Sequence, residues 1–373
     1  MARAATVLVT LVAALAVSSA SSAPAGGGQT VAGQRAVEAY ALMQRYFYDE
    51  SRSSYEGTYP PTGAGYAQLW PYTQALSASL EVARLTEGSS ARDALGGTIA
   101  ILGAYRAPLG GQLAYAPVYG GRGNPFYDDN NWAGLALVSA ADLLHRDADL
   151  AVAQRVLDWI RRGWDSRALV CPGGVYWLMP GGTYWNRSPG SRYRTAVSTL
   201  NGALLAILLF QRTHVAGDLR WAEKAYAWTM RCLDTGDGLI GDHIDANGNV
   251  TPSIHSYNQG AAIATAVNLY RITHDRAYLA GAVRTADASL SAFRDPLASG
   301  DNVSMLAIFY GDLLALAPFV YGDAIHAAIQ AFGDAAWTNN RNPTTGLFQF
   351  GETSATLLDQ AAMVQIYAEL ARN

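Results

Sequence analysis

The chain has 373 residues; half of them are hydrophobic, only 15% are charged, and the formal net charge is −4. It has no basic run and a single lysine, Lys224, so we do not expect it to bind nucleic acid. The 21 tyrosines and 9 tryptophans favour a carbohydrate ligand, because aromatic rings stack on the apolar faces of sugars, although most of them will be core residues.

Residues 1–25 are predicted to be a signal peptide. Arg3 gives a positive start, and the apolar run from Ala4 to Val17 is too short to span a bilayer as a helix. Small residues follow this run, so we expect cleavage between residues 20 and 25 and secretion of the mature chain without stable membrane insertion. An uncleaved N-terminal anchor is the alternative.

After this segment, apolar residues recur at helical spacing, and no sustained alternating pattern predicts a large sheet. Twelve helices of two alternating kinds are predicted. The amphipathic helices are expected at 33–47, 90–106, 149–164, 219–234, 276–293 and 322–338. The more apolar helices are expected at 68–86, 129–145, 195–213, 257–273, 303–317 and 354–371.

A weak internal repeat indicates how these helices are arranged. Thr86, His145, Thr213 and Thr273 mark equivalent joints, separated by 59, 68 and 60 residues, which is one helix pair per step. A helix that is apolar on nearly all sides must be buried, so six such helices predict an inner ring inside an outer ring. We therefore predict an all-α fold, an (α/α)6 toroid, as a single domain over residues 26–373. An open solenoid is less consistent, because the capping repeats it needs are not seen.

The lengths of the joints indicate which face carries the site. Joints from an inner to an outer helix are short, whereas most joints from an outer to an inner helix are long. The long ones are expected at 48–67, 107–128, 165–194, 235–256 and 339–353. Long, non-repetitive loops at one face usually carry function. The site is therefore predicted at the N-terminal ends of the inner helices.

Asp128 and Asp129 lie at one such helix start, between Tyr127 and Trp132. Taken alone, they could be no more than a helix cap and first turn. However, this is the one inner-helix start with two adjacent carboxylates. Glycoside hydrolysis needs two carboxyl groups, about 5 Å apart in enzymes that retain the anomeric configuration. Repulsion between like charges separates the two pKa values, so one group can attack while the other donates a proton.

Five motifs resemble glycoside hydrolase family 76, the α-1,6-mannanases, and the resemblance covers nearly the whole mature chain. They are YDDNNWAGLAL at 127–137, GGVYW at 173–177, DGLIGDHI at 237–244, SYNQG at 256–260 and LLDQAA at 357–362. The resemblance implies the same toroid and retaining endo-hydrolysis of α-1,6-linked mannose chains. It further implies that Asp128 is the nucleophile and Asp129 the general acid/base. One departure is Gly311, where the family often has an arginine, so contacts around the cleft are expected to differ.

Eight further residues are expected to bind the substrate, an α-1,6-mannan or manno-oligosaccharide. They are Trp70, Tyr127, Asn130, Trp177, Asp242, Tyr257, Asn258 and Gln259. The alternatives are core packing for the two tryptophans, a loop-structuring turn for Asp242 and a helix cap for Asn258. If Asn258 is only a cap, Gln259 should point into the cleft. Trp132 is expected to support the aspartates.

No cofactor is predicted, since the histidines show no metal-ligand spacing, and we expect a monomer. Cys171 and Cys232 are 61 positions apart, and a disulfide and two buried free thiols fit the sequence equally well. Three other functions stay open: a transglycosylase that remodels envelope mannan, a non-catalytic mannan-binding protein, and a sugar epimerase. The epimerase would need paired histidines in the cleft, such as His243 and His255.

Overall fold

The computed structural model describes residues 30–63, 65–86, 90–167, 170–181 and 192–372. The predicted signal peptide, residues 1–25, lies outside them. Within the described residues the chain forms twelve α-helices, and their number, order and approximate bounds agree with the prediction. The largest difference is in the second outer helix, which ends early at Ile101 because a 3-10 turn, Leu102–Tyr105, follows it.

The helices form two concentric rings. The outer helices are α1 Val31–Phe47, α3 Ser90–Ile101, α5 Asp147–Arg162, α7 Ala216–Cys232, α9 Arg276–Ala292 and α11 Gly322–Asn339. The inner helices are α2 Leu69–Leu85, α4 Tyr127–Leu144, α6 Ala196–Thr213, α8 Ser256–Thr273, α10 Val303–Leu314 and α12 Leu357–Arg372. Each inner helix packs against the next one along the chain, and α12 packs against both α10 and α2. The inner ring is therefore closed, which confirms the predicted (α/α)6 toroid.

Burial explains the two kinds of helix pattern. In α6 every residue from Ala196 to Ile207 is buried, because outer helices cover one side and inner helices the others. By length and composition α6 could cross a membrane, but it is mostly buried as a core helix. In α5 the buried apolar residues follow one stripe that includes Ala153, Val156 and Ile160. One-sided burial is what an amphipathic outer helix requires.

The face at the C-terminal ends of the inner helices has short joints. Helices α4, α6 and α8 are each followed by a C-cap histidine, His145, His214 and His274, with φ of 54°, 57° and 59°. The backbone N–H of each histidine bonds to a helix carbonyl, in the left-handed cap that reverses a chain tightly. This face is therefore closed by compact turns, as predicted.

The opposite face carries the long loops, which are tied together by short antiparallel strand pairs. Strand β1 Tyr48–Asp49 pairs with β2 Ser54–Tyr55, β3 Thr58–Tyr59 with β6 Ala355–Thr356, and β4 Arg194–Thr195 with β5 His243–Ile244. The β3–β6 pair joins the loop before α2 to the loop before α12. The β4–β5 pair joins the loops before α6 and α8, so neighbouring helix starts are held in register.

A disulfide between Cys171 and Cys232 fixes the loop before α6 to the end of α7. The Cα atoms of the two cysteines are 6.0 Å apart, and the structure thus selects one of the two states that the sequence left open. The buried Arg194 reinforces the same loop: it donates to the carbonyl oxygens of Cys171, at 2.6 Å, and of Asp245, at 2.8 Å. A buried guanidinium with several carbonyl partners holds irregular backbone in place.

Candidate active site

A cavity of about 450 Å³ opens at the long-loop face, where the inner helices begin. Five of the six inner helices contribute to its wall from their first turn or from the residue before it. The described wall contains three carboxylates, two histidines and mainly aromatic or apolar side chains: Gln68, Trp70, Pro117, Phe126, Asp128, Asp129, Trp132, Trp177, Tyr193, Thr195, Val197, Asp242, His243, His255, Tyr257 and Met305. The predicted position of the site therefore coincides with this cavity.

Asp128 and Asp129 lie in the first turn of α4, and both side chains line the cavity. The residue before the helix, Phe126, makes no side-chain cap, so the aspartates themselves supply negative charge at the positive end of the helix dipole. Asp128 Oδ2 accepts a hydrogen bond from the indole N–H of Trp177 at 3.0 Å. Its other oxygen, Oδ1, is buried and has no hydrogen-bond partner among the described residues.

The two carboxyl groups differ in what stabilises their charged forms. Burial raises the pKa of Asp128, but the Trp177 N–H and backbone N–H groups of the first turn oppose this by favouring the carboxylate. Burial, and then the neighbouring Asp128 carboxylate, raise the pKa of Asp129 well above its ordinary value. Asp128 therefore loses its proton first, and Asp129 keeps its proton while Asp128 is charged.

A third carboxylate, Asp242, comes from the loop before α8. It lies between the ring of His243, with Nδ1 2.9 Å from Asp242 Oδ2, and the side-chain amide of Asn258, which donates to Oδ1 at 3.0 Å. Burial would raise the pKa of Asp242, but these two hydrogen bonds, together with the electrostatic effect of the nearby His255 and His243 rings, outweigh it, and the pKa is lowered. Asp242 is thus a fixed, ionised acceptor in the wall, suited to hydrogen bonds from hydroxyl groups.

The structure brings four of the eight predicted substrate-binding residues to the cavity wall: Trp70, Trp177, Asp242 and Tyr257. Trp132, which was expected only to support the aspartates, also reaches the wall and packs with Val197 and Ile308. Trp70 Nε1 is buried without a hydrogen-bond partner among the described residues.

The other four predicted residues do not reach the cavity, in contrast to the sequence prediction. Tyr127 is buried and stacks on Trp159, with ring centroids 4.3 Å apart. Asn130 is buried and bonds through its amide to the backbone N–H and carbonyl of Tyr115. These contacts of Tyr127 and Asn130 hold the first turn of α4 on the side that does not line the cavity.

Asn258 and Gln259 are likewise buried behind the wall. Asn258 acts on the cleft only through its hydrogen bond to Asp242. Gln259 does not point into the cleft: its amide bonds to both the N–H and the carbonyl of Ile240, at 2.9 and 2.8 Å. It therefore holds the loop that carries Asp242.

Gly311 also lies away from the cleft, so the expectation that it alters contacts there is wrong. It is in the C-terminal half of α10, where a Cβ atom would lie 2.5 Å from the carboxylate oxygen Oε1 of Glu369. The departure from the family pattern at Gly311 therefore bears on core packing between α10 and α12.

Several wall residues were not predicted, among them Tyr193, Thr195, Val197 and Met305. Three of these share a position with the predicted ones, since they lie just before or within the first turn of an inner helix. That shared position is the signal that could have identified them. Tyr193 could not be found in this way, because it stacks on His243 from a loop, with ring centroids 3.9 Å apart.

Histidine, cysteine and acidic side chains of the described residues form no group of three or more that could hold a metal ion. The expectation that the protein uses no cofactor stays a prediction. What the described site offers is acid–base and nucleophilic chemistry by carboxyl groups, within a wall of aromatic rings.

Comparisons with known proteins agree with this description. A family model, glycosyl hydrolase family 76, matches residues 30–368. A mannan endo-1,6-alpha-mannosidase from Eremothecium gossypii is 30% identical over 183 residues, which is 43% of this chain and 38% of that protein. The chain thus matches well under half of the length of this curated relative.

Two solved structures are similar in fold. A family 76 mannosidase from Bacteroides thetaiotaomicron has a TM-score of 0.80 at 24% identity, over 92% of this chain and 98% of that one. An inactive variant of an α-1,6-mannanase from a Salegentibacter species, with two consecutive aspartates replaced by asparagine, was solved with α-1,6-mannotriose. It has a TM-score of 0.74 at 18% identity, over 91% of this chain and 99% of that one.

Proposed function

Because the chain belongs to glycosyl hydrolase family 76, we propose that it is an endo-acting α-1,6-mannanase whose reacting groups are Asp128 and Asp129. The observation that carries the proposal is the placement of these two adjacent carboxyl groups at the wall of the cavity, where the indole N–H of Trp177 donates to Asp128 and favours its charged form. A charged nucleophile beside a protonated acid is the combination that glycoside cleavage with retention requires.

The reaction proceeds in two displacements. The Asp128 carboxylate attacks the anomeric carbon, the bond from that carbon to the glycosidic oxygen breaks, and Asp129 gives its proton to the departing oxygen. Asp129 is now a carboxylate and takes a proton from a water molecule. The water oxygen attacks the anomeric carbon and releases Asp128. Two inversions at one carbon leave the configuration retained.

The wall suits a chain of neutral sugars. Trp70, Trp177 and Tyr257 offer ring faces and edges for pyranose rings, and Asp242 offers an ionised acceptor for hydroxyl groups. The related protein from Eremothecium gossypii is named for cleavage of the α-1,6-linkage in mannan, which supports the same linkage here. The Salegentibacter variant supports the role of Asp128 and Asp129, since it is inactive with two consecutive aspartates replaced.

A transglycosylase is the nearest alternative, since a sugar hydroxyl can take the place of water in the second displacement. Products longer than the starting oligosaccharide would favour it. Turnover of α-1,6-mannan by the wild type but not by Asp128→Ala would exclude a non-catalytic mannan-binding protein.

One observation favours an epimerase: His243 and His255 both line the cavity. Each ring, however, is hydrogen-bonded to a carboxylate: His243 to Asp242, and His255 to Asp301. The family match favours hydrolysis. Incubation with free hexosamines, followed by product analysis, would reveal any interconversion.

We further propose that the protein is exported. The N-terminal sequence pattern predicts cleavage between residues 20 and 25, and the Cys171–Cys232 disulfide is typical of an oxidising compartment. N-terminal sequencing of protein secreted by the producing cell should begin in that range. A protein retained in the cell at full length would contradict the proposal.

The direct test is incubation of the purified protein with linear α-1,6-mannan and chromatography of the products over time. An endo-acting enzyme gives oligosaccharides of several lengths at early times, and NMR of the new reducing ends shows the α anomer first. Asp128→Asn serves as the inactive control. If the mannan is unchanged, the proposed function is wrong; if the β anomer forms first, the retaining mechanism is wrong.

A further inference from the structure

Beside the aspartate pair, the cavity wall contains a histidine that is held by a buried carboxylate. The Nδ1 atom of His255 lies 2.7 Å from Asp301 Oδ1. The Asp301 side chain is only 1% exposed, whereas that of His255 is 32% exposed and lines the cavity. Because a carboxylate can only accept, Nδ1 carries the hydrogen, and Nε2 is the ring nitrogen left to bond with a ligand.

The stability of helix α8 does not explain this histidine. His255 occupies the N-cap position, yet its side chain makes no cap hydrogen bond. The first-turn N–H of Ser256 is satisfied instead by Asp301 Oδ2 at 2.6 Å. A positive charge at a helix N-terminus opposes the helix dipole, so a protonated histidine here weakens the helix end. Asp301 therefore serves the helix, whereas His255 faces the cleft.

On this basis, and resting on the proposed function, we propose that His255 is a substrate-binding residue that donates from Nε2 to an oxygen of the bound mannose chain. Asp301 is the positioning residue that fixes its ring. The acceptor is a hydroxyl, glycosidic or ring oxygen, since these are the polar atoms that a neutral mannan offers.

The surroundings of His255 favour the charged form of its ring. The hydrogen bond that Nδ1 donates to Asp301 raises the pKa of His255, burial opposes this, and the negative charge of Asp242 adds to the increase. The other titratable groups of the described residues that line the cavity are Asp128, Asp129, Tyr193, His243 and Tyr257. An imidazolium donates a stronger hydrogen bond than a neutral ring does, and it also balances the carboxylates of the wall.

The test measures binding apart from turnover. In the Asp128→Asn background, quenching of tryptophan fluorescence by α-1,6-mannotetraose gives the dissociation constant. Loss of a charge-assisted hydrogen bond in His255→Phe should weaken binding about 10- to 100-fold. His255→Gln, which keeps a neutral donor, should recover part of that loss. His326→Phe, on the outer helix α11 with its ring bonded to the Gly322 carbonyl, is the matched control and should bind normally.

The pH dependence separates this role from a merely structural one. Binding should weaken as the pH rises through the pKa of His255, and this step should be absent in both His255 variants. In Asp301→Asn the step should move to lower pH, because the carboxylate that favours the charged ring is lost. NMR titration of the His255 ring without ligand should show the same downward shift.

The outcomes distinguish the two proposals. If Asp128→Asn binds mannotetraose and His255→Phe changes neither affinity nor its pH dependence, the role of His255 is wrong and the proposed function stands. If the Asp128→Asn variant does not bind mannotetraose, the proposed function is contradicted, and the substrate-binding role of His255 with it. If Asp301→Asn leaves the His255 titration unchanged, the positioning role of Asp301 is wrong.

Discussion

Two sets of partly buried carboxyl groups in the inner ring differ in what surrounds them. Asp128 and Asp129 lie at the start of α4, whereas Asp312 and Glu369 lie in the C-terminal halves of α10 and α12. Burial raises the pKa of all four, that of Asp312 to about 8. Only the first pair lines the cavity, and only Asp128 accepts an indole N–H there.

A raised carboxyl pKa therefore indicates burial and does not by itself indicate function. The pKa of Asp312 is raised by burial alone, and its Oδ2 atom accepts no hydrogen bond from the described residues. In contrast, the Trp177 N–H favours the charged form of Asp128, and the pKa of the neighbouring Asp129 is raised, which favours its protonated form. A pair of reacting carboxyl groups is indicated when one is ionised, the other is protonated, and both lie at a surface that a substrate can reach.

Variants of the two sets of carboxyl groups should differ most strongly in catalytic activity. Asp128→Asn should lower kcat on α-1,6-mannan by about 10⁴-fold or more, because the nucleophile is lost. Asp312→Asn should leave kcat and KM nearly unchanged, because Asp312 does not line the cavity. Steady-state rates with circular dichroism as a check of folding decide this. An active Asp128→Asn, or an inactive but folded Asp312→Asn, would contradict the comparison.

The second effect separates the proposed roles of Asp128 and Asp129. Asp129→Asn should lower kcat on mannan by about 10²- to 10⁴-fold, since the leaving oxygen no longer receives a proton. With an aryl mannoside whose leaving group needs no proton, formation of the mannosyl-enzyme should stay fast and product should appear in a burst. Stopped-flow absorbance measures the burst. Equal losses on both substrates would argue against an acid role for Asp129.

A smaller effect tests the donor that distinguishes Asp128 from Asp312. Trp177→Phe removes the N–H that favours the Asp128 carboxylate, so the pKa of Asp128 should rise by about one unit or more. Activity requires this carboxylate, and the acid limb of the kcat/KM profile should therefore move to higher pH. Trp132→Phe is the control, since no hydrogen bond joins Trp132 to either aspartate. An unmoved acid limb would contradict this account of the Trp177 hydrogen bond.

The smallest effect is on the free energy of unfolding, through Asp312. The folded protein keeps the Asp312 proton up to about pH 8, whereas the unfolded chain releases it near the ordinary carboxyl pKa. The free energy of unfolding should therefore fall as pH rises between those values. Asp312→Asn removes this term and should be more stable than wild type at pH 8, by on the order of 1 kcal/mol, but not at pH 4.

Urea unfolding at the two pH values measures the difference. Asp158→Asn, at an exposed position on α5, provides the matched control and should show no such pH-dependent gain. If Asp312→Asn is destabilising at pH 8, the buried carboxyl group contributes to the fold in a way that its surroundings do not indicate.

Much of the fold follows from the sequence because helices have a strong period. The alternation of apolar and amphipathic segments predicted the ring, and the unequal joints predicted the face with the cavity. Asp128 and Asp129 were found because a helix start is a local feature. Tyr127, Asn130 and Gln259 were misplaced because the side of a helix start that faces a cavity depends on its neighbours. Gln259, for instance, meets the backbone of Ile240.

The parts of the site that come from loops could not be predicted in this way. His255 was noticed only as one of two histidines in a loop, and its partner Asp301 lies 46 positions away along the chain. Such a pairing is set by how two loops cross, which no periodicity encodes. Likewise, the sequence could not choose between a disulfide and two thiols, because distance between the cysteines is a property of the folded chain.

Closure of the inner ring has a consequence for the order of assembly. The amide of Gln360 in α12 bonds to the carbonyl of Ala39 in α1, and that of Gln365 to the carbonyl of Gln74 in α2. These contacts join positions 321 and 291 residues apart, so the last wall of the ring forms only after nearly the whole chain has been synthesised. A nascent chain that lacks α12 already contains Asp128 and Asp129 but not the closed inner ring at whose mouth they lie.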